Sequence, residues 1–183
     1  MKKYILSIVA IILTISIAAC SSTKEPDKHV KSNSESEEHM DMNHSSSSEV
    51  PKGLKVAANP KFQVGSKATI QADHMKGMKG AEATIVGAYD TTAYIISYTP
   101  TTGGPKVENH KWVIQEEIKN ADGKTFKPGD EVTIEADHMK GMKGAKAEIV
   151  SAEKTTVYMV NYKPTNGGKE VKNHKWVTES ELS

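Results

Sequence analysis

Phe62 to Lys119 aligns with Phe126 to Ser183 at a constant offset of 64, without a gap, and 33 of the 58 positions are identical. Ala72-Asp73-His74-Met75-Lys76-Gly77-Met78-Lys79-Gly80-Ala81 recurs unchanged at 136–145, and Asn109-His110-Lys111-Trp112-Val113 recurs at 173–177. Self-similarity of this kind is tandem duplication of one structural unit. The fold must therefore be one that a segment of 58 residues can specify twice. We assign repeat domain 1 to residues 59–119 and repeat domain 2 to residues 120–183, with Asn120 to Thr125 as the junction.

Each copy reads as β. Lys67-Ala68-Thr69-Ile70, Ala83-Thr84-Ile85-Val86, Tyr94-Ile95-Ile96-Ser97-Tyr98 and Lys111-Trp112-Val113-Ile114 are short runs rich in β-branched and aromatic residues, the composition that fits a pleated sheet. A turn is expected at Thr91-Thr92, and one helical turn at Gln115 to Ile118. No segment sustains a 3.6-residue period. The expected fold is mostly β: two tandem small SH3-like β-barrel repeats, with Trp112, Phe62, Tyr94 and Ile70 in the core.

The N-terminus reads as a targeting signal. Lys2 and Lys3 precede an apolar run from Tyr4 to Ala19, which ends in Ile17-Ala18-Ala19-Cys20. Sixteen helical residues span about 24 Å, short for a bilayer core of about 30 Å. Small residues before a lone cysteine have the form of a bacterial lipobox, in which cleavage frees Cys20 for lipidation. Two or three acyl chains anchor stably where one does not. Residues 1–19 are thus expected to be a lipoprotein signal peptide, and the remainder to lie at the extracellular face of the cytoplasmic membrane. Residues 20–58 form the next unit. Their Ser21 to Lys52 stretch, low in large apolar residues, is expected to be a disordered tether.

Composition removes several functions. The 24 Lys and Arg residues are all Lys, and they balance 23 acids. This is not the basic footprint of a nucleic-acid binder. A single cysteine excludes an intramolecular disulfide framework and zinc sites built on several thiolates. No nucleophile–base pair or phosphate-binding glycine loop stands out, and the expectation is that the chain is not an enzyme.

The chemistry lies in histidine and methionine. Of eight Met, four occupy the two repeated loops as Met75, Met78, Met139 and Met142. Met40 and Met42 lie in the tether run His39-Met40-Asp41-Met42-Asn43-His44. His74 and His138 open the loops, and His110 and His174 precede the tryptophans. Soluble cores take Met as scattered gap filler; here it gathers beside His. Thioether sulfur is a soft ligand that favours Cu(I), and imidazole accepts copper in either oxidation state. Gly77 and Gly80 allow a curl that turns residues 74, 75 and 78 toward one point. The candidate copper ligands are therefore His74, Met75, Met78 and His110, their counterparts His138, Met139, Met142 and His174, and His39, Met40, Met42 and His44 of the tether.

At its two repeated motifs the chain resembles the YdhK-type lipoproteins of Gram-positive bacteria, which carry tandem copies of a domain catalogued as of unknown function. It also resembles the CopL-type surface copper-binding lipoproteins encoded with copper-exporting ATPases. The resemblance covers about residues 62–183, the lipobox and the tether. It implies extracellular copper binding, copper resistance and a copper-exporting ATPase as a partner. The residues and the resemblance together lead to a lipid-anchored protein that sequesters or hands on Cu(I). The alternative is a cell-wall or surface-ligand binding module, its Tyr and Trp side chains lining a groove.

Overall fold

The structure, a computed structural model, describes residues 46–183. Cys20 and the donor run His39, Met40, Met42 and His44 lie outside the described residues. Seven strands form one antiparallel sheet: β1 (Lys55–Val56), β2 (Lys67–Thr69), β3 (Glu82–Tyr98), β4 (Val107–Ile114), β5 (Glu131–Thr133), β6 (Lys146–Tyr162) and β7 (Val171–Thr178). Two single 3-10 turns, Gln115–Glu117 and Glu179–Glu181, follow β4 and β7. No α-helix occurs among the described residues, as the missing helical period leads one to expect.

The long strands β3 and β6 pair with each other from Ala83↔Tyr162 to Tyr98↔Ala147. No reversal interrupts them at Thr91-Thr92. Both residues are β-branched and sit in the pairing, Thr91 opposite Thr155 and Thr92 opposite Lys154. The expected turn would have folded each copy back on itself. A partner strand from the other copy makes that turn unnecessary, and two expected strands become one of 17 residues.

Register shifts occur between Ile85 and Gly87, and between Ile95 and Ile96. They place one extra residue, Val86, in β3 and the repeat-related Val150 in β6. A bulge moves the inward face by one residue. Ala83 and Ile85 face inward before it and Ala88 after it, on the same parity as Tyr94, Ile96 and Tyr98 beyond.

The apolar interior crosses the repeat boundary. One lobe combines Ile70, Met78, Ala83 and Ile85 of the first copy with Tyr158, Val160, Tyr162 and Leu182 of the second. The other combines Tyr94, Ile96, Val113 and Ile118 with Ile134, Met142, Ala147 and Ile149. Bridges between Ile70 and Leu182, and between Ile118 and Ile134, close the two lobes in the same crosswise sense. The arrangement is compatible with a small SH3-like barrel in each lobe, its strands drawn from both copies. A third cluster, around Ala93, Trp112, Ile114, Val157, Met159 and Trp176, lies between them. Of the expected core residues, Trp112, Tyr94 and Ile70 are buried, and Phe62 is half-buried against the first lobe.

Candidate functional site

The repeated loops curl as their glycines allow. Ile70 N–H bonds to the Ala81 carbonyl, Gly80 N–H to Ile70, and Met78 N–H to Met75. Gly77 and Gly80 have φ of +81° and +79°, a region L-residues other than glycine enter at a cost. The second loop repeats the pattern through Ile134, Gly144 and Met142. Each loop is held by the other copy. Thr165 N–H donates to the Gly77 carbonyl at 2.9 Å, and Thr101 N–H to the Gly141 carbonyl at 2.9 Å.

Within each curl the two methionines differ in burial. Met78 and Met142 are fully buried, one in each lobe. They pack as core side chains, filling irregular space as a flexible thioether does well. Met75 is half-buried, and its sulfur accepts a hydrogen bond from the Tyr162 hydroxyl at 3.6 Å. Met139 is likewise half-buried.

His74 and His138 each meet a carboxylate of the other copy. His74 Nε2 lies 2.8 Å from Glu181 Oε1, and His138 Nε2 lies 2.6 Å from Glu117 Oε1. The second oxygen of each carboxylate accepts from an indole. Trp112 Nε1 donates to Glu181 Oε2 at 2.8 Å, and Trp176 Nε1 to Glu117 Oε2 at 3.2 Å. The same oxygens accept the Thr178 and Ile114 backbone N–H groups at 3.1 Å, fixing each acid to its own 3-10 turn. Lys111 adds its ammonium 3.6 Å from Glu181.

Burial alone would raise the Glu181 carboxyl. The hydrogen bond and charge of His74, with the Trp112 indole and the Thr178 amide, outweigh it and hold the group at about 2. This carboxylate is a permanent acceptor near neutral pH. It fixes Nε2 of His74 as the hydrogen-bonded ring nitrogen and leaves Nδ1 as the ring nitrogen outside that bond. Nδ1 of His74 and Nδ1 of His138 are both buried and have no hydrogen-bond partner. The two side chains are only 9% and 8% exposed.

The neighbouring donors also cross the copies. The His74 ring lies 6.4 Å from the ring of His174, and His138 lies 6.5 Å from His110. His110 therefore joins the loop of the second copy and not, as the sequence suggests, the loop of its own. Tyr162 packs edge-on against His174, and Tyr98 against His110. Each site thus pairs two imidazoles, with a half-buried methionine next in the chain to the loop histidine. Among the described residues no group of three or more His, Cys, Asp and Glu is placed to hold a metal.

The His74 site opens on a cleft of about 450 Å³ beside Gln71, Asp73, Lys111 and Glu181. The His138 site opens on one of about 970 Å³ beside Glu117, Glu135, Asp137 and Lys175. An aromatic groove is not what the surface offers. Tyr94, Tyr98, Tyr158, Tyr162, Trp112 and Trp176 are all buried, and Tyr89 is half-buried against Trp176.

Sequence reasoning missed Glu117 and Glu181. A signal was present: beyond Trp-Val the two copies diverge, from Ile-Gln-Glu-Glu-Ile-Lys to Thr-Glu-Ser-Glu-Leu-Ser, and only this glutamate is retained.

Comparison with known proteins agrees with the duplication. The sequence pattern of a family described as protein of unknown function (DUF1541) matches residues 64–115 and again 128–179. The uncharacterized protein YdhK of Bacillus subtilis (strain 168) is 60% identical over 187 residues, covering all of this chain and 89% of the relative. A crystal structure of the DUF1541 family protein ydhK from Bacillus subtilis is 68% identical. It superposes with a TM-score of 0.76, covering 79% of this chain and 99% of that one. A solution NMR structure of the ydhK C-terminal domain is 70% identical with a TM-score of 0.64, covering 67% of this chain and 92% of that one. Two matched segments in tandem, a mostly β fold shared with these structures and identity along the whole chain establish that the chain belongs to the DUF1541 family.

Proposed function

We propose that this protein is a lipid-anchored copper-binding protein of the outer face of the cytoplasmic membrane, which sequesters Cu(I) or hands it on, without catalysis. One observation carries the reading. His74 and His138 are each fixed by a carboxylate at Nε2 while a buried Nδ1 has no hydrogen-bond partner. A carboxylate–imidazole pair of this kind orients a ring for metal ligation and raises its basicity. A buried polar atom without a partner costs free energy, and an ion bound there removes that cost.

The rest of the site sets the preference. The His174 ring faces that of His74 and the His110 ring that of His138, while Met75 and Met139 follow the loop histidines in the chain. Two imidazoles each about 2 Å from a shared ion have ring centres roughly 6 Å apart, and the observed separations are 6.4 and 6.5 Å. Nitrogen with thioether sulfur, and no thiolate, suits Cu(I) over harder divalent ions. The run His39, Met40, Met42 and His44 adds a second set of donors, and acylated Cys20 supplies the anchor. Met78 and Met142 serve packing in this reading.

The test is titration of the mature chain with Cu(I) against a competing chelator. Wild type binds two ions in its folded part, and the His74→Asn, His138→Asn variant loses both. The Met75→Leu, Met139→Leu variant guards against an unfolding artefact and binds more weakly by about tenfold per site. Wild-type binding no tighter than that of a protein lacking His and Met overturns the reading.

A further inference from the structure

The two sites repeat each other in residue type but not in what lies over them. Residues 46–54 run beside the cleft of the second site, and none of them lines the cleft of the first. Asn173 Nδ2 donates to the Ser46 carbonyl at 2.8 Å, and the Lys175 ammonium donates to the Glu49 carbonyl. Val50 and Leu54 pack against the cluster that holds Trp112, Ile114 and Trp176. Lys55 and Val56 then join the sheet opposite Asp90 and Tyr89. Glu49 and Val50 thereby form part of the wall of the cleft that contains Glu117 and His138.

Duplication cannot supply a second such segment. The residues that correspond to 46–54 by the repeat are 110–118, and these already form β4 and its 3-10 turn. The counterparts of Asn173 and Lys175 are Asn109 and Lys111. Asn109 is exposed, and Lys111 leans on the Trp112 ring and Glu181 instead. The difference shows in burial: the Glu117 side chain is 6% exposed and that of Glu181 is 13%.

We propose that residues 46–54 are a strap that makes the two metal sites kinetically inequivalent: the His74 site exchanges its ion freely, and the His138 site exchanges only when the strap lifts. The proposal rests on the metal-binding reading above. Its physical basis is local opening. A segment held by side chain–backbone hydrogen bonds and half-buried apolar side chains opens at lower cost than the sheet beneath it. The strap is therefore a gate of modest strength at one site.

Each site carries its own reporter, because Trp112 donates its indole N–H to Glu181 and Trp176 donates its own to Glu117. The mature chain, with Cys20→Ser to prevent acylation, is loaded with Ag(I), a redox-stable probe with the coordination habits of Cu(I). A chelator is then added and the two indole N–H signals are followed by NMR. The Trp112 signal reverts about tenfold faster than the Trp176 signal. In the Val50→Ser, Leu54→Ser variant the two rates converge to within about twofold. Equal rates in wild type, or a gap that survives in the variant, overturn the proposal.

Hydrogen exchange of the same two indoles without metal tests the strap separately. Trp176 is the better protected, and the variant removes the difference; equal protection in wild type overturns the proposal. Failure of the metal-binding reading looks different. Neither indole signal responds to Ag(I), and the proposal then falls with it whatever the exchange rates.

Discussion

His74 of the first copy and Glu181 of the second stand 2.8 Å apart, and His138 and Glu117 make the same pair in the opposite direction at 2.6 Å. The two bonds follow from one fact of topology. Because β3 pairs with β6 along nearly its whole length, each lobe takes its first half from one copy and its second half from the other. A loop histidine and the glutamate of its own copy therefore end up in different sites. The duplication does not give two sites side by side; it gives two sites that neither copy holds alone.

Removing one shared acid exposes this dependence. Glu181→Ala leaves the His74 and Trp112 donors and the Thr178 amide without their acceptor. Breaking a buried, hydrogen-bonded pair from one side costs about 3 kcal/mol. The loss is read as a lower urea midpoint at unchanged slope. Adding His74→Ala to Glu181→Ala should cost less than the sum of the single changes, since the two groups share one interaction. Strict additivity would place them in separate environments.

The sequence makes the content of the fold legible but not its connectivity. The repeat, the β character, the single turn after Ile114 and the burial of Trp112, Tyr94 and Ile70 all follow from residue type and spacing. The crosswise pairing does not, because Thr91-Thr92 is equally able to turn a hairpin or continue a strand, and only a partner strand decides. The site suffers from the same ambiguity. His74, His110, His138 and His174 are marked by the repeat, yet which belongs with which depends on the swap. Met75 and Met78 look alike in the sequence. A curl of three residues separates them, and one goes to the rim and the other to the interior.

That separation has a measurable consequence. Met78→Ala and Met142→Ala each open a cavity in a lobe, because both side chains are fully buried; the expected cost is about 3 kcal/mol. Met78→Leu, nearly equal in volume, should cost under about 1.5 kcal/mol and leave Cu(I) affinity unchanged. Met75→Leu, which removes only the sulfur acceptor of the Tyr162 hydroxyl, should cost under about 1 kcal/mol and weaken Cu(I) binding. Reversed outcomes, with affinity following residue 78 and stability following residue 75, would assign the thioethers the other way round.

The loop glycines rank by what surrounds them. Gly144 has φ of +81°, and a methyl group there meets nothing nearer than Thr101 Cγ2 at 3.9 Å. Gly144→Ala should therefore cost about 1 kcal/mol, the backbone term alone. At Gly77 the methyl would fall 2.3 Å from Asn166 Oδ1, the end of a side chain able to swing away. At Gly141 it would meet Thr102 Oγ1 at 2.5 Å, Pro100 Cβ at 3.0 Å and the Thr102 backbone nitrogen at 3.3 Å. Proline and backbone yield little, and Gly141→Ala should cost about 3 kcal/mol. The order Gly141, Gly77, Gly144 in thermal midpoints checks the reading, and a flat series would contradict it.

Glu181 should keep its charge below the pH at which ordinary carboxyls take up a proton. Its carboxyl is held at about 2 against an ordinary 4.5. Between those values the unfolded chain binds the proton and the folded chain does not, so stability rises with pH across that window. The contribution is complete above pH 4.5 and is lost as pH falls toward 2. A depression of this size corresponds to about 3 kcal/mol, comparable to the loss expected from Glu181→Ala. Urea midpoints of wild type and Glu181→Gln, measured from pH 6 downward, separate this group from the other acids. The wild-type curve should fall more steeply through the window and approach the variant at its acid end. Parallel curves would mean that the Glu181 carboxyl is not held by His74 and Trp112 in solution.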